Sequence, residues 1–182
     1  MKVLFFSSGN TEGGISPLVW YQGQSLKKHG VDVEFFTVKN KGLKGYLQAG
    51  MQLRHYLKDA SFDLVHVHYG TSGIAALLGR RKLPVVISFM GDDIMGSHLA
   101  NGQLTLFSRI MVRVNKFLAR HFYNAYIVKS EQMKSKLGLD EAEVIPNGVD
   151  TDFYHSMDKK HCRKKLELPM DANIILFLAN PD

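Results

Sequence analysis

Val3-Leu-Phe-Phe-Ser-Ser-Gly-Asn-Thr-Glu-Gly-Gly-Ile-Ser-Pro17 decides the fold. It opens with four apolar residues that do not alternate with polar ones. That pattern suits a strand buried on both faces, as in the middle of a parallel sheet. Glycines follow, then Ser16 and Pro17, which suit the start of a helix because proline's missing N–H is no loss in a first turn. A strand that runs through a glycine loop into a helix is the first half of a βαβ unit.

The rest of the chain repeats that alternation. Strands are predicted at residues 3–7, 31–38, 62–68, 84–89, 125–129 and 143–145. Helices are predicted at 17–29, 45–59, 73–79, 104–123 and 131–137. The expected fold class is α/β, a Rossmann-like, doubly wound, mostly parallel sheet. The chain is expected to divide into a domain at 1–150 and, at 151–182, an interdomain connector with the first strand of a truncated second domain. In that segment the apolar run Ile174-Ile-Leu-Phe-Leu178 reads as a newly opened strand.

Ligands of a doubly wound sheet sit outside the carboxyl ends of its strands. Four loops qualify, at residues 8–16, 69–72, 90–97 and 146–153. In the first, Gly13 and Gly14 expose backbone N–H groups before a helix N-terminus, which suits a phosphate. A tight turn needing positive φ explains them equally well. Neither the dinucleotide fingerprint nor a Walker sequence is matched.

His66 and His68 are two apart on a strand and share a face. With no third ligand at a supporting spacing, they read as packing residues, or as a substrate-facing His68, before they read as a metal pair. Gly91-Asp92-Asp93 ends another strand. Its carboxylates suit sugar hydroxyls or base catalysis, and equally a helix cap. Arg109, Arg113, Lys116 and Arg120 recur at helical spacing beside Ile110, Val114, Phe117 and Leu118. Such a helix suits an anionic lipid surface, although a solvated face is the commoner use of the pattern.

The chain has 182 residues, 45% hydrophobic and 22% charged, with a formal net charge of +6. That composition builds a globular core. No apolar stretch approaches the ~20 residues that span a bilayer. The N-terminus lacks the pattern of a cleaved signal, and Cys162 alone allows no internal disulfide, so a cytoplasmic location is expected. Basic charge permits anionic partners, but no aromatic interleaving marks a nucleic-acid binder, and none is expected.

The glycine loop, the Asp63–His68 stretch, Gly91-Asp92-Asp93, and above all Val144-Ile-Pro-Asn-Gly-Val-Asp150 with Phe153 resemble the N-terminal half of a family 4 retaining glycosyltransferase of the two-domain GT-B fold. The resemblance covers essentially the whole chain. It implies transfer of a sugar from a nucleotide-diphosphate donor to a hydroxyl acceptor, in polysaccharide or glycolipid synthesis, without metal or other cofactor. It implies that Gly13 and Gly14 touch the donor diphosphate, that Asp92 and His68 serve catalysis, and that Asn10, Thr11, Glu12, His66 and Asp93 line the acceptor side. The partners it implies are the nucleotide sugar, the acceptor and a C-terminal donor-binding domain; peripheral membrane contact, at the inner face, is the expectation that the basic helix adds. Many relatives carry a histidine at the position of Met90, whose role is therefore unassigned here. The resemblance leaves open a nucleotide-sugar epimerase of the same fold, and a free-standing nucleotide-binding module in which residues 173–178 would join the main sheet.

Overall fold

The computed structural model describes residues 1–9, 14–39, 42–99 and 101–176. The chain divides into two compact units, Met1–Gly148 and Val149–Asp182. In the first, strands and helices alternate: β1 (Lys2–Ser8), α1 (Pro17–Lys28), β2 (Asp32–Val38), α2 (Gly42–Asp59), β3 (Leu64–His68), α3 (Gly70–Gly79), β4 (Val85–Ser88), α4 (Asp92–Met95), α5 (Leu106–Phe122), β5 (Ala125–Val128), α6 (Glu131–Leu137) and β6 (Glu143–Val144). All strand pairs are parallel, in the order β2-β1-β3-β4-β5-β6. This is the doubly wound, Rossmann-like arrangement expected. The chain goes from β1 out to β2, then returns to β3 on β1's other side, so the topological switch lies between β1 and β3.

The alternation within β1 accounts for the layers. Val3 and Phe5 pack with Val19 of α1 and Val33 of β2. Leu4 and Phe6 point the other way, into the larger cluster with Leu53 and Leu57 of α2, Ala75 and Ala76 of α3, and Ile87 of β4. All four β1 side chains are almost wholly buried, so a run apolar on both faces is what this position requires.

Two elements depart from expectation through glycine. Helix α3 begins at Gly70, not residue 73, directly at the end of β3. Gly70 falls in the expected loop at 69–72, but a Cβ there would collide with the Asn115 amide, and one at Gly73 with the Tyr123 hydroxyl. They are close-packing glycines inside a helix. Likewise, loop residues 92–95 form the single turn α4, started at Gly91 with φ 148°.

In the second unit, α7 (Lys159–Lys165) falls inside a stretch expected to be a connector. It was hidden because almost no apolar period marks it. Asp158 caps it by accepting from the His161 N–H at 2.7 Å. The nearly buried Arg163 donates to the carbonyls of Pro169, Met170 and Ala172, which holds the following turn. Of the apolar run expected to open a strand, residues 173–176 are described and carry no strand, and Ile175 is 96% exposed. Residues 177 and 178 lie outside the described residues.

Helices α2 and α3 meet backbone to backbone. A Cβ at Gly79 would lie 2.5 Å from the Gly50 carbonyl oxygen and 2.8 Å from Leu53 Cβ. Gly79→Ala is expected to cost about 1–3 kcal/mol by overpacking, read as a lower urea midpoint with an unchanged slope.

Candidate active site

The site is built at the carboxyl ends of β1, β3, β4 and β5, beside the switch point. Asp93 organises it. The residue is 4% exposed. Its carboxylate accepts from the backbone N–H of Gly70 at 3.0 Å, of Met90 at 3.0 and 3.1 Å, and of Gly91 at 2.9 Å. The Asn115 side-chain amide, from α5, donates to the Asp93 carbonyl at 2.8 Å. Burial pushes the Asp93 carboxyl up, against the pull of those backbone donors. Expected among acceptor ligands, Asp93 instead turns inward and ties the β4 loop to the start of α3. Met90, at the position where relatives carry histidine, is half-buried and contributes a backbone donor to that knot.

Asp92 is the outward member of the pair. It is exposed, stands in the first turn of α4, and accepts from the Ser97 hydroxyl at 3.3 Å.

Beneath lies a histidine stack. Register sets His66 beside Phe5, so both histidines point to the α1 side of the sheet. Their rings stack at 4.4 Å, and Phe5 packs 4.8 Å from His66 and 4.7 Å from His68. His66 Nε2 shares a 2.9 Å hydrogen bond with the Ser88 hydroxyl. His68 is 2% exposed, and neither of its ring nitrogens has a partner among the described residues. Burial, then the positive charge of Lys129, lowers His66 to about 3. Burial also holds His68 well below its ordinary value, aided by His66 and Lys129. Both are neutral at physiological pH.

Three residues at this mouth escaped the sequence reading. Tyr69, at the end of β3, holds φ 78° and ψ 136°, a conformation that costs a non-glycine residue on the order of 1–3 kcal/mol. It is part-exposed, and burial, Asp93, Asp92 and Tyr46 together push its hydroxyl upward. Tyr46 of α2 accepts from the Thr71 hydroxyl at 3.1 Å, which adds a second phenol to the rim. Lys129, just past β5, is half-buried and lowered by burial. Its charge acts on Asp93, His66 and His68. Only the rule that ligands sit at strand ends could have flagged Tyr69 and Lys129.

At the switch point, Gly9 continues the ladder by donating to the Val38 carbonyl at 2.8 Å. A Cβ on Gly9 would lie 2.9 Å from the Gly14 carbonyl oxygen, so the two flanks of the first loop lie close together. Gly14 has φ 72° and open space around its Cβ position. Asn10, Thr11, Glu12 and Gly13 lie outside the described residues. Among the described residues, no three histidine, cysteine or acidic side chains gather as metal ligands. A depression lined by Arg54, Phe62, Arg81 and Lys82 among others precedes β3 and β4 and so lies at the opposite end of the sheet.

A family model described as Glycosyltransferase Family 4 matches residues 31–153, which include every β3-to-β5 element of this site. The chain belongs to glycosyltransferase family 4. Its fold is shared with a sucrose-phosphate synthase from Thermosynechococcus elongatus, at 14% identity and TM-score 0.70, over 93% of this chain and 53% of that one. It is also shared with HepE of Anabaena, solved in complex with UDP and glucose, at 18% identity and TM-score 0.61, over 91% and 50%. The chain thus spans about half the length of these solved relatives, and its first unit shares its fold with that half of them. No curated protein matches the sequence.

The histidine stack makes a pH prediction. Folded His66 takes its proton near pH 3, whereas an unfolded histidine takes it near 6.5. Between those values the unfolded chain binds more protons, so stability is complete above pH 6.5 and is lost as pH falls toward 3. Urea unfolding is expected to show about 2 kcal/mol less stability from this residue at pH 5 than at pH 7, with His68 acting in the same direction. NMR should find His66 untitrated at pH 5.

Proposed function

We propose that these residues form the acceptor half of a retaining glycosyltransferase, which moves a sugar from a nucleotide-diphosphate donor to a hydroxyl acceptor without a metal. The observation that carries this is the knot on Asp93. It fixes Asp92 outward, beside the strained Tyr69, at the carboxyl ends of the strands in a family 4 domain.

In this reading Asp92 accepts a hydrogen bond from the acceptor hydroxyl, and Tyr69 and Tyr46 orient the acceptor. Gly13 and Gly14 present backbone N–H groups to the donor diphosphate, with Asn10, Thr11 and Glu12 beside them. Lys129 sets a positive field along the same edge, favourable to the charge that develops on the departing diphosphate. His68 and His66 act from below as a neutral, low-dielectric floor, and Asp93 serves by positioning Asp92. A donor-binding half completes the cleft, because ordered transfer needs both substrates held and water excluded. Support for a nucleotide-sugar donor comes from the family and from the UDP and glucose bound by the Anabaena relative.

The test uses residues 1–182 and a longer protein that joins them to a donor-binding half, both assayed with nucleotide sugars. Turnover with retained anomeric configuration is expected from the longer protein alone. Robust transfer by the shorter one would sink the two-half account. In the longer protein, Asp92→Asn is expected to lower kcat/KM about 100-fold or more. Gly13→Val should abolish turnover while thermal unfolding stays unchanged. Wild-type kinetics in either variant would remove that residue from the site.

A further inference from the structure

Helix α5 carries large apolar side chains on its outer face. Its buried residues are Ser108, Val112, Asn115 and Ala119, and Leu118 packs partly buried against the core. Other large apolar side chains point outward: Leu106 is 74% exposed, Phe107 71%, Ile110 48% and Phe117 56%. Among them stand Arg109, Arg113 and Arg120, all exposed, with Lys116 alongside. The helix contains no acidic residue. Lys136 of α6 and Arg120 both bear on Lys116 and help burial to lower it, so the cationic field runs on from α5 onto α6. Among the described residues the one ion pair joins Lys2 and Glu34, and no carboxylate neutralises any cation of α5.

A water-facing helix normally presents charges of both signs and few large apolar groups, and a protein-binding face usually carries paired charges. A face that alternates phenylalanine, leucine and isoleucine with arginine, all of one sign, matches the interface of an anionic bilayer. There the apolar groups enter the acyl boundary and the cations meet the headgroups. We propose that the outer face of α5, continued by Lys136 of α6, docks this domain onto an anionic lipid surface. No helix among the described residues is long and apolar enough to cross a membrane, so this contact is peripheral.

The test is flotation of the 182-residue chain with vesicles of phosphatidylcholine alone, and of phosphatidylcholine and phosphatidylglycerol in equal parts. Binding is expected to the anionic vesicles only, weakening as salt rises. Arg109→Ala and Arg113→Ala should each lower the partition coefficient about fivefold. Phe107→Ser with Phe117→Ser should lower it at least tenfold at high salt, where electrostatic attraction is screened. The side chains are exposed, so circular dichroism and melting should not change. Arg54→Ala with Lys58→Ala, on the exposed end of α2, should leave binding as in wild type. Absence of vesicle binding, equal binding to neutral vesicles, or equal loss in the α2 variant would overturn the proposal. So would concentration-dependent self-association that the Phe107→Ser, Phe117→Ser change abolishes while vesicle binding persists.

Discussion

The buried carboxylate of Asp93 is the constraint on which the site depends. A desolvated charge this deep is costly unless it is hydrogen-bonded, and here backbone donors from two different loops bond it. Those bonds fix the end of β4 against the start of α3. They require Gly91 at φ 148°, where a side chain is strained. They also leave the next carboxylate no inward place: two adjacent aspartates in one helical turn point apart, so Asp92 faces out. Asp93 therefore contributes chemistry through its neighbour. Replacing it with alanine would strand the buried Gly70 N–H and the part-buried N–H groups of Met90 and Gly91.

The histidines below serve the same edge differently. A charged imidazole between Phe5 and the sheet would be desolvated and would face Lys129, so both rings stay neutral. The positive charge that bears on both rings is then the lysine's. With Asp92 at the rim and Lys129 at the next strand end, the mouth holds a carboxylate and a cation on adjacent loops over an apolar bed. In such a low-dielectric setting, fixed charges act more strongly on a bound substrate than they would in water.

The sheet was legible in the sequence because its signal is local. Val3-Leu-Phe-Phe6 could be little else than a central parallel strand, and the alternation with amphipathic segments implied the rest. The candidate site was only partly legible. That Asp92 and Asp93 end a strand is visible in one dimension; which of them turns inward depends on Gly70, twenty-three residues away. Tyr69 is an ordinary residue in an ordinary string until the backbone forces it to φ 78°. Gly70 misled in the opposite direction, since glycine at a helix crossing and glycine in a loop look alike without the partner helix.

The inverted packing of α5 follows from the demands of the site. Asn115 must face inward to hold the Asp93 carbonyl, and it packs where Gly70 leaves room. Ser108 must face inward because its hydroxyl accepts from the Ser97 N–H at 2.8 Å, while its own N–H is capped by Thr105. With two of its inward turns committed to polar bonds and a third narrowed to Ala119, the helix has no room on that side for phenylalanine. Leu118 packs partly buried against the core, but Phe107, Ile110 and Phe117 stay outside it. Soluble helices with a polar inner face ordinarily fill the outer one with charge of both signs. This one places Phe107, Ile110 and Phe117 there among arginines, at a cost in water that only a covering surface recovers.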